Sequence, residues 1–170
     1  MQEPLAYSLD YANGTVDLSL TSERFIVRTQ GKGLIDKLRT IDIPPSDLKN
    51  FCLVPTLAAQ NIVGETAGRD LVYDAAYDSE FIFSYQDRGT LTKKRVFVNR
   101  HDETFQRLLE ALGKRCPAAS LLHLEPAEAQ KQIGVISGAQ GLTIIIGVII
   151  GVPVVIALAV ILSMILVNYR

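Results

Sequence analysis

A mainly β domain followed by one membrane-spanning helix is the fold class this sequence predicts, and three patterns predict it. Before Asn99, short runs alternate apolar and polar residues, the period of half-buried strands. A single amphipathic helical stripe follows those runs. The sequence then closes on a long uncharged apolar segment.

The strands come first. Asn13-Gly14 suits the positive φ of a type I′ hairpin turn, and with Thr15 it also forms a glycosylation sequon. Val16, Leu18 and Leu20 alternate with Asp17 and Ser19, and Phe25 and Val27 alternate with Arg24, Ile26 and Arg28. Ile41 and Ile43 continue the pattern until Pro44-Pro45 stops it. Phe51 to Val54 is a short apolar run, while Leu71 to Ala76 and Phe81 to Tyr85 flank a turn at Tyr77-Asp78-Ser79. Gln86 to Gly89 reads as another turn, and Leu91 to Val98 as the last strand. Segments of this length and spacing predict an antiparallel sandwich or barrel.

One helix follows. Asp102 is a suitable N-cap, and Glu103 complements the helix dipole. Phe105, Leu108, Leu109 and Leu112 form one apolar stripe, Gly113 fits the position after the helix end, and Lys114-Arg115 place cations there. Packed on the preceding strands, this helix would cover the open end of the β domain.

The order of strands and then one closing helix resembles the pleckstrin-homology superfold, including its bacterial and GRAM-like relatives. The residues that carry the resemblance are "TSERFIVRT", "LRTIDIPPSDLKNFCLV" and "EFIFSYQDRGTLTKKRVFVNR" running into "DETFQRLLEALGKR". It spans residues 5–115 and implies a barrel or sandwich closed by the helix. Phosphoinositide-binding members of that superfold carry a basic residue, a short loop and a basic-x-Arg pair near the first hairpin. Lys32 with Lys37-Leu38-Arg39 resembles that spacing on a later hairpin. The aromatic of the family's closing helix, often Trp, corresponds to Phe105 or a leucine here, since the chain has no Trp.

The domain organisation follows. Residues 1–115 form the β domain and 116–140 a partly helical linker, with Pro126 in a first helical turn. Residues 141–168 form a transmembrane helix, and 169–170 a short tail. Leu142 to Val167 is interrupted only by Thr143, Gly147, Gly151, Pro153 and Ser163, and a span needs about 20 apolar residues. Every charged residue except Arg170 lies at or before Lys131. Lys114, Arg115 and Lys131 outnumber Arg170 across the span, which predicts a cytoplasmic N-terminal domain on a single-pass, C-terminally anchored protein. Gly147 and Gly151 share a helix face and are candidates for packing against another membrane protein or a second copy.

Chemistry is sparse. A net charge of −1 gives no general affinity for nucleic acid. No nucleophile elbow, phosphate loop, dinucleotide fingerprint or zinc helix motif is present, and His101 and His123 lack metal-ligand spacing. Cys52 and Cys116 form neither a disulfide framework nor a metal cluster, with Cys52 expected buried and Cys116 partly exposed. Asp70, Asp74, Asp78 and Glu80 read as a polar hairpin rim. The expectation is no enzyme and no cofactor, but a binding or scaffolding module in a membrane assembly. The alternatives are an anionic-lipid reader and a regulatory subunit acting through the spanning helix. Arg24, Arg28, Lys32, Lys37, Arg39, Lys93, Lys94 and Arg95 are the candidates for lipid contact.

Overall fold

The computed structural model describes residues 4–32, 38–56 and 76–135. These belong to the first of two units, Met1–Val135. The expected span at 141–168, with Gly147 and Gly151, lies outside the described residues. So does Lys37, and so does the strand expected from Leu71, apart from Ala76. Among the described residues, no helix is long and apolar enough to cross a membrane.

Four strands, β1 (Leu5–Tyr11), β2 (Gly14–Leu20), β3 (Phe25–Gly31) and β4 (Arg39–Ile43), pair antiparallel in chain order. A second antiparallel sheet holds β5 (Leu48–Pro55), β6 (Ser79–Asp87) and β7 (Thr90–Val98). Helix α1 (Glu103–Arg115), a 3-10 turn (Pro117–Ala119) and helix α2 (Pro126–Ile133) follow. The two sheets are separate, so the described residues form two facing sheets and not a closed barrel.

Alternation decides the first sheet. Tyr7, Leu9, Val16, Leu18, Leu20, Phe25, Val27 and Ile43 all join the main core. The intervening Ser8, Asp17, Arg28 and Thr40 sit opposite one another in register on the other face. There the Ser8 hydroxyl donates to Asp17 Oδ1 at 2.6 Å.

The first hairpin turns at Ala12-Asn13, one residue earlier than expected, and neither Asn13 nor Gly14 has a positive φ. It is therefore not the type I′ Asn-Gly turn. Gly14 already belongs to β2, and a Cβ there would meet the Gln30 carbonyl oxygen at 2.4 Å. Close approach of β3, and not turn geometry, excludes a side chain at this position. The type I′ geometry occurs instead between β6 and β7, where Arg88 and Gly89 have φ of 48° and 85°. Ser79, expected in a turn, is the first residue of β6.

The second sheet is covered on both faces. Phe51, Phe81, Phe83 and Tyr85 face the main core. Cys52, Val54 and Ile82 face a second cluster built with Leu121, Ala129 and Ile133. Residues 116–135, expected as a partly helical linker, thus lie against β5 and β6. The Leu121 amide donates to the Phe51 carbonyl at 2.9 Å, and Ser120 bridges Phe51 in parallel along the edge of β5. A bulge between Leu48 and Asn50 lets Leu48 and Phe51, three positions apart, reach the same core.

Helix α1 buries Phe105, Leu108 and Leu112. The Phe105 ring lies 5.1 Å from Tyr7 and 6.0 Å from Phe81, so the helix bridges both sheets. Asp102 caps it by accepting from the amides of Thr104 at 2.8 Å and Phe105 at 3.1 Å. The helix does not end at Gly113, as its sequence suggests, but runs to Arg115 with Cys116 as C-cap. Two tertiary contacts hold that extra turn: the Arg115 guanidinium donates to the Thr21 carbonyl, and Cys116 Sγ approaches the Pro45 carbonyl at 3.7 Å. Cys116, expected to be partly exposed, is accordingly buried.

Candidate functional site: a cleft at the mouth between the sheets

The ends of β1 and β3 and the starts of β2 and β4 lie at one end of the first sheet. Inward register brings Tyr11, Val16, Thr29 and Arg39 together there, since Thr29 and Arg39 are the last pair of the β3–β4 ladder. Across from them run Arg95, Val96 and Phe97 of β7. These residues, with Gln30 and Gly31, line a cleft of about 370 Å³.

Its floor is apolar, with Val16 and Val96 only 1% and 7% exposed. One wall is aromatic. The Tyr11 ring stands edge-on to Phe97 at 5.7 Å, and Phe97 stacks on Tyr77 at 4.5 Å. Burial and the neighbouring Tyr77 raise the Tyr11 phenol above its ordinary pKa, so it stays a neutral hydroxyl near pH 7. The lining residues include Arg39 and Arg95, and no carboxylate is among those described. Arg95 also lies 3.7 Å from Glu80. The Thr29 hydroxyl and the Arg39 guanidinium have no hydrogen-bond or ion-pair partner among the described residues.

The described members of the basic set proposed from sequence are spread over both sheets. Arg24 lies 3.7 Å from Asp42 at the far end of β3, and Arg28 faces Asp17 across the outer surface. Lys32 pairs with the Asp10 carboxylate and donates to the Tyr11 carbonyl at 3.2 Å. Lys93 donates to the Gly134 carbonyl at 2.8 Å, whereas Lys94 lies opposite Phe83 in the β6–β7 register. Of the set, the cleft brings together Arg39 and Arg95. Sequence reasoning missed Tyr11, Thr29 and Phe97 as their companions. The parity of Thr29 with Val27 and Phe25 was the available signal for Thr29, but the crossing of β7 had none.

Of the carboxylates expected on a hairpin rim, Asp70 and Asp74 lie outside the described residues, while Asp78 and Glu80 make ion pairs. Asp78 takes Arg100 Nε at 3.1 Å and the Arg100 amide at 2.9 Å, with His101 Nε2 at 3.3 Å. Among the described residues, no group of three or more His, Cys, Asp or Glu is placed to hold a metal ion.

No family model and no curated protein matches the chain. A solved structure, the hSac2 domain from human phosphoinositide phosphatase Sac2, is similar at 16% identity and a TM-score of 0.38. The match covers 70% of this chain and 71% of that one. It is a weak overlap and assigns no activity.

Proposed function

We propose that the chain is a non-enzymatic, single-pass membrane protein whose β domain is a cytoplasmic, pleckstrin-homology-like binding or scaffolding module. The observation that carries this reading is the uncharged run Leu142 to Val167, long enough to span a bilayer and placed after a folded unit that ends at Val135. The element order supports the likeness of the module: four strands, three strands, then a helix bridging both sheets. Tethering such a module raises its effective concentration for partners in the same membrane.

The test is alkaline extraction of membranes from cells making the full chain or a chain ended after Val135. The full chain stays with the lipid pellet and the shortened one is released. Release of both would overturn the membrane reading. Gly147→Leu with Gly151→Leu then separates a helix-docking subunit, which loses its partner in mild detergent, from a module that binds through its β domain.

A further inference from the structure

We propose that the cleft between β3–β4 and β7 is a binding site for a small organic anion, a single phosphate or carboxylate carried on an aromatic body of about one ring. Three observations converge. The volume, about 370 Å³, lies at the lower end of small-molecule sites. The floor and one wall are Val16, Val96, Tyr11 and Phe97, which remove apolar surface from water. Among the described residues, the lining includes Arg39 and Arg95 and no carboxylate, with Glu80 3.7 Å from Arg95.

The uncommitted groups fix the polarity of the ligand. Some surface arginines are ion-paired, as Arg24 is with Asp42 and Arg100 with Asp78. Arg39 instead lines the cleft beside the Thr29 hydroxyl, and neither has a partner among the described residues. A guanidinium offers a planar fork that matches phosphate or carboxylate with two parallel hydrogen bonds. Thr29 adds one donor or acceptor next to it. Arg95 lies on the β7 side, where Glu80 at 3.7 Å answers part of its charge. A purely inorganic anion would leave the aromatic wall wet, and a neutral ring would leave Arg39 unanswered. Both halves of the ligand are needed.

This site does not depend on membrane attachment, so it and the membrane reading fail separately. The test is calorimetric titration of the full chain in detergent micelles with phenyl phosphate, with phenol and inorganic phosphate as half-ligands. Phenyl phosphate binds, each half-ligand binds at least tenfold more weakly, and Arg39→Gln or Arg95→Gln weakens phenyl phosphate by tenfold or more. Arg39→Lys gives an intermediate loss, because a point charge replaces the fork. Both arginines are exposed, and an unchanged thermal midpoint verifies that the variants fold. Inorganic phosphate binding as tightly as phenyl phosphate, or Arg39→Gln binding like the parent, overturns the site. A response to phosphatidic acid vesicles without one to phenyl phosphate also overturns it, in favour of a lipid headgroup.

Discussion

Lys93 and Gly134 are joined by a 2.8 Å hydrogen bond from the Lys93 ammonium to the Gly134 carbonyl oxygen. The bond places a cation at the C-terminal end of α2, where the helix dipole favours it. Gly134 ends that helix in the left-handed region, φ 73° and ψ 41°, with its amide bonded back to Gln130 and Lys131. Gly134→Ala should therefore cost about 1 kcal/mol, since an L side chain is disfavoured at this φ. Lys93→Met, at an exposed site, should cost about 0.5 kcal/mol. Ile133→Ala, in the second core, should cost about 2–4 kcal/mol. Urea unfolding of the three variants checks the order. Equal, negligible losses would mean that α2 does not contribute to the folded unit.

Gly113 offers the opposite sign. It sits inside α1, and a Cβ built there meets nothing within 4 Å. Gly113→Ala should raise stability by about 0.5–1 kcal/mol, because alanine loses less backbone freedom on forming a helix. A higher thermal midpoint with an unchanged denaturant slope is the expected result.

The Asp102 cap makes an acid-side prediction. The Thr104 hydroxyl, together with the amides of Phe105 and Thr104, holds its carboxyl below the ordinary aspartate pKa. A lowered folded pKa means that its contribution is present above the unfolded value and is lost as pH falls through the folded one. Asp102→Ala should cost about 1 kcal/mol at pH 7. The gap to the parent should be smaller in acid, below the lowered carboxyl pKa, than at pH 7 without closing, because a neutral acceptor remains, and Asp102→Asn should retain most of the cap. Denaturation at the two pH values measures this.

Cys52 makes an alkaline-side prediction. Burial beneath Leu121, Ala129 and Ile133 pushes its thiol up to about 11. Above pH 9 the unfolded chain sheds a proton that the native chain keeps, so stability falls as pH rises from 9 toward 11. Cys52→Ala should flatten part of that slope. Tyr7, also raised by burial, continues it at higher pH. At pH 8, thiol reagents should label native Cys52 only as fast as the unit opens, and Ile133→Ala should speed the labelling.

Where one strand face meets solvent, the sequence was legible. Val16, Leu18 and Leu20 declare β2 because Asp17 and Ser19 lie between them, and Phe25 and Val27 declare β3 with Arg24 and Arg28 on either side. The Asp102 cap and the α1 stripe were equally plain, since both are local chemistry. Events decided by distant chain were not legible. Gly14 looked like a turn residue but makes room for Gln30, and Gly113 looked like a helix end until Arg115 reached Thr21. The covering of β5 and β6 by residues 116–135 leaves no alternation to read. The cleft was half legible. Arg39 and Arg95 stood in the basic set, but nothing local says that β7 crosses the end of β3.

The double covering of β6 also sets where this protein can drift. From Phe81 to Tyr85 every residue is buried, with Phe81, Phe83 and Tyr85 in the main core and Ile82 in the second one. A change on either side must be answered by a different partner, Phe25 or Phe105 for one face and Leu121 or Ile133 for the other. In β2, by contrast, Asp17 and Ser19 can vary without touching the core. Relatives of this chain should therefore share β6 long after β2 has diverged, and paired changes between β6 and residues 121–133 are the mark by which to recognise them.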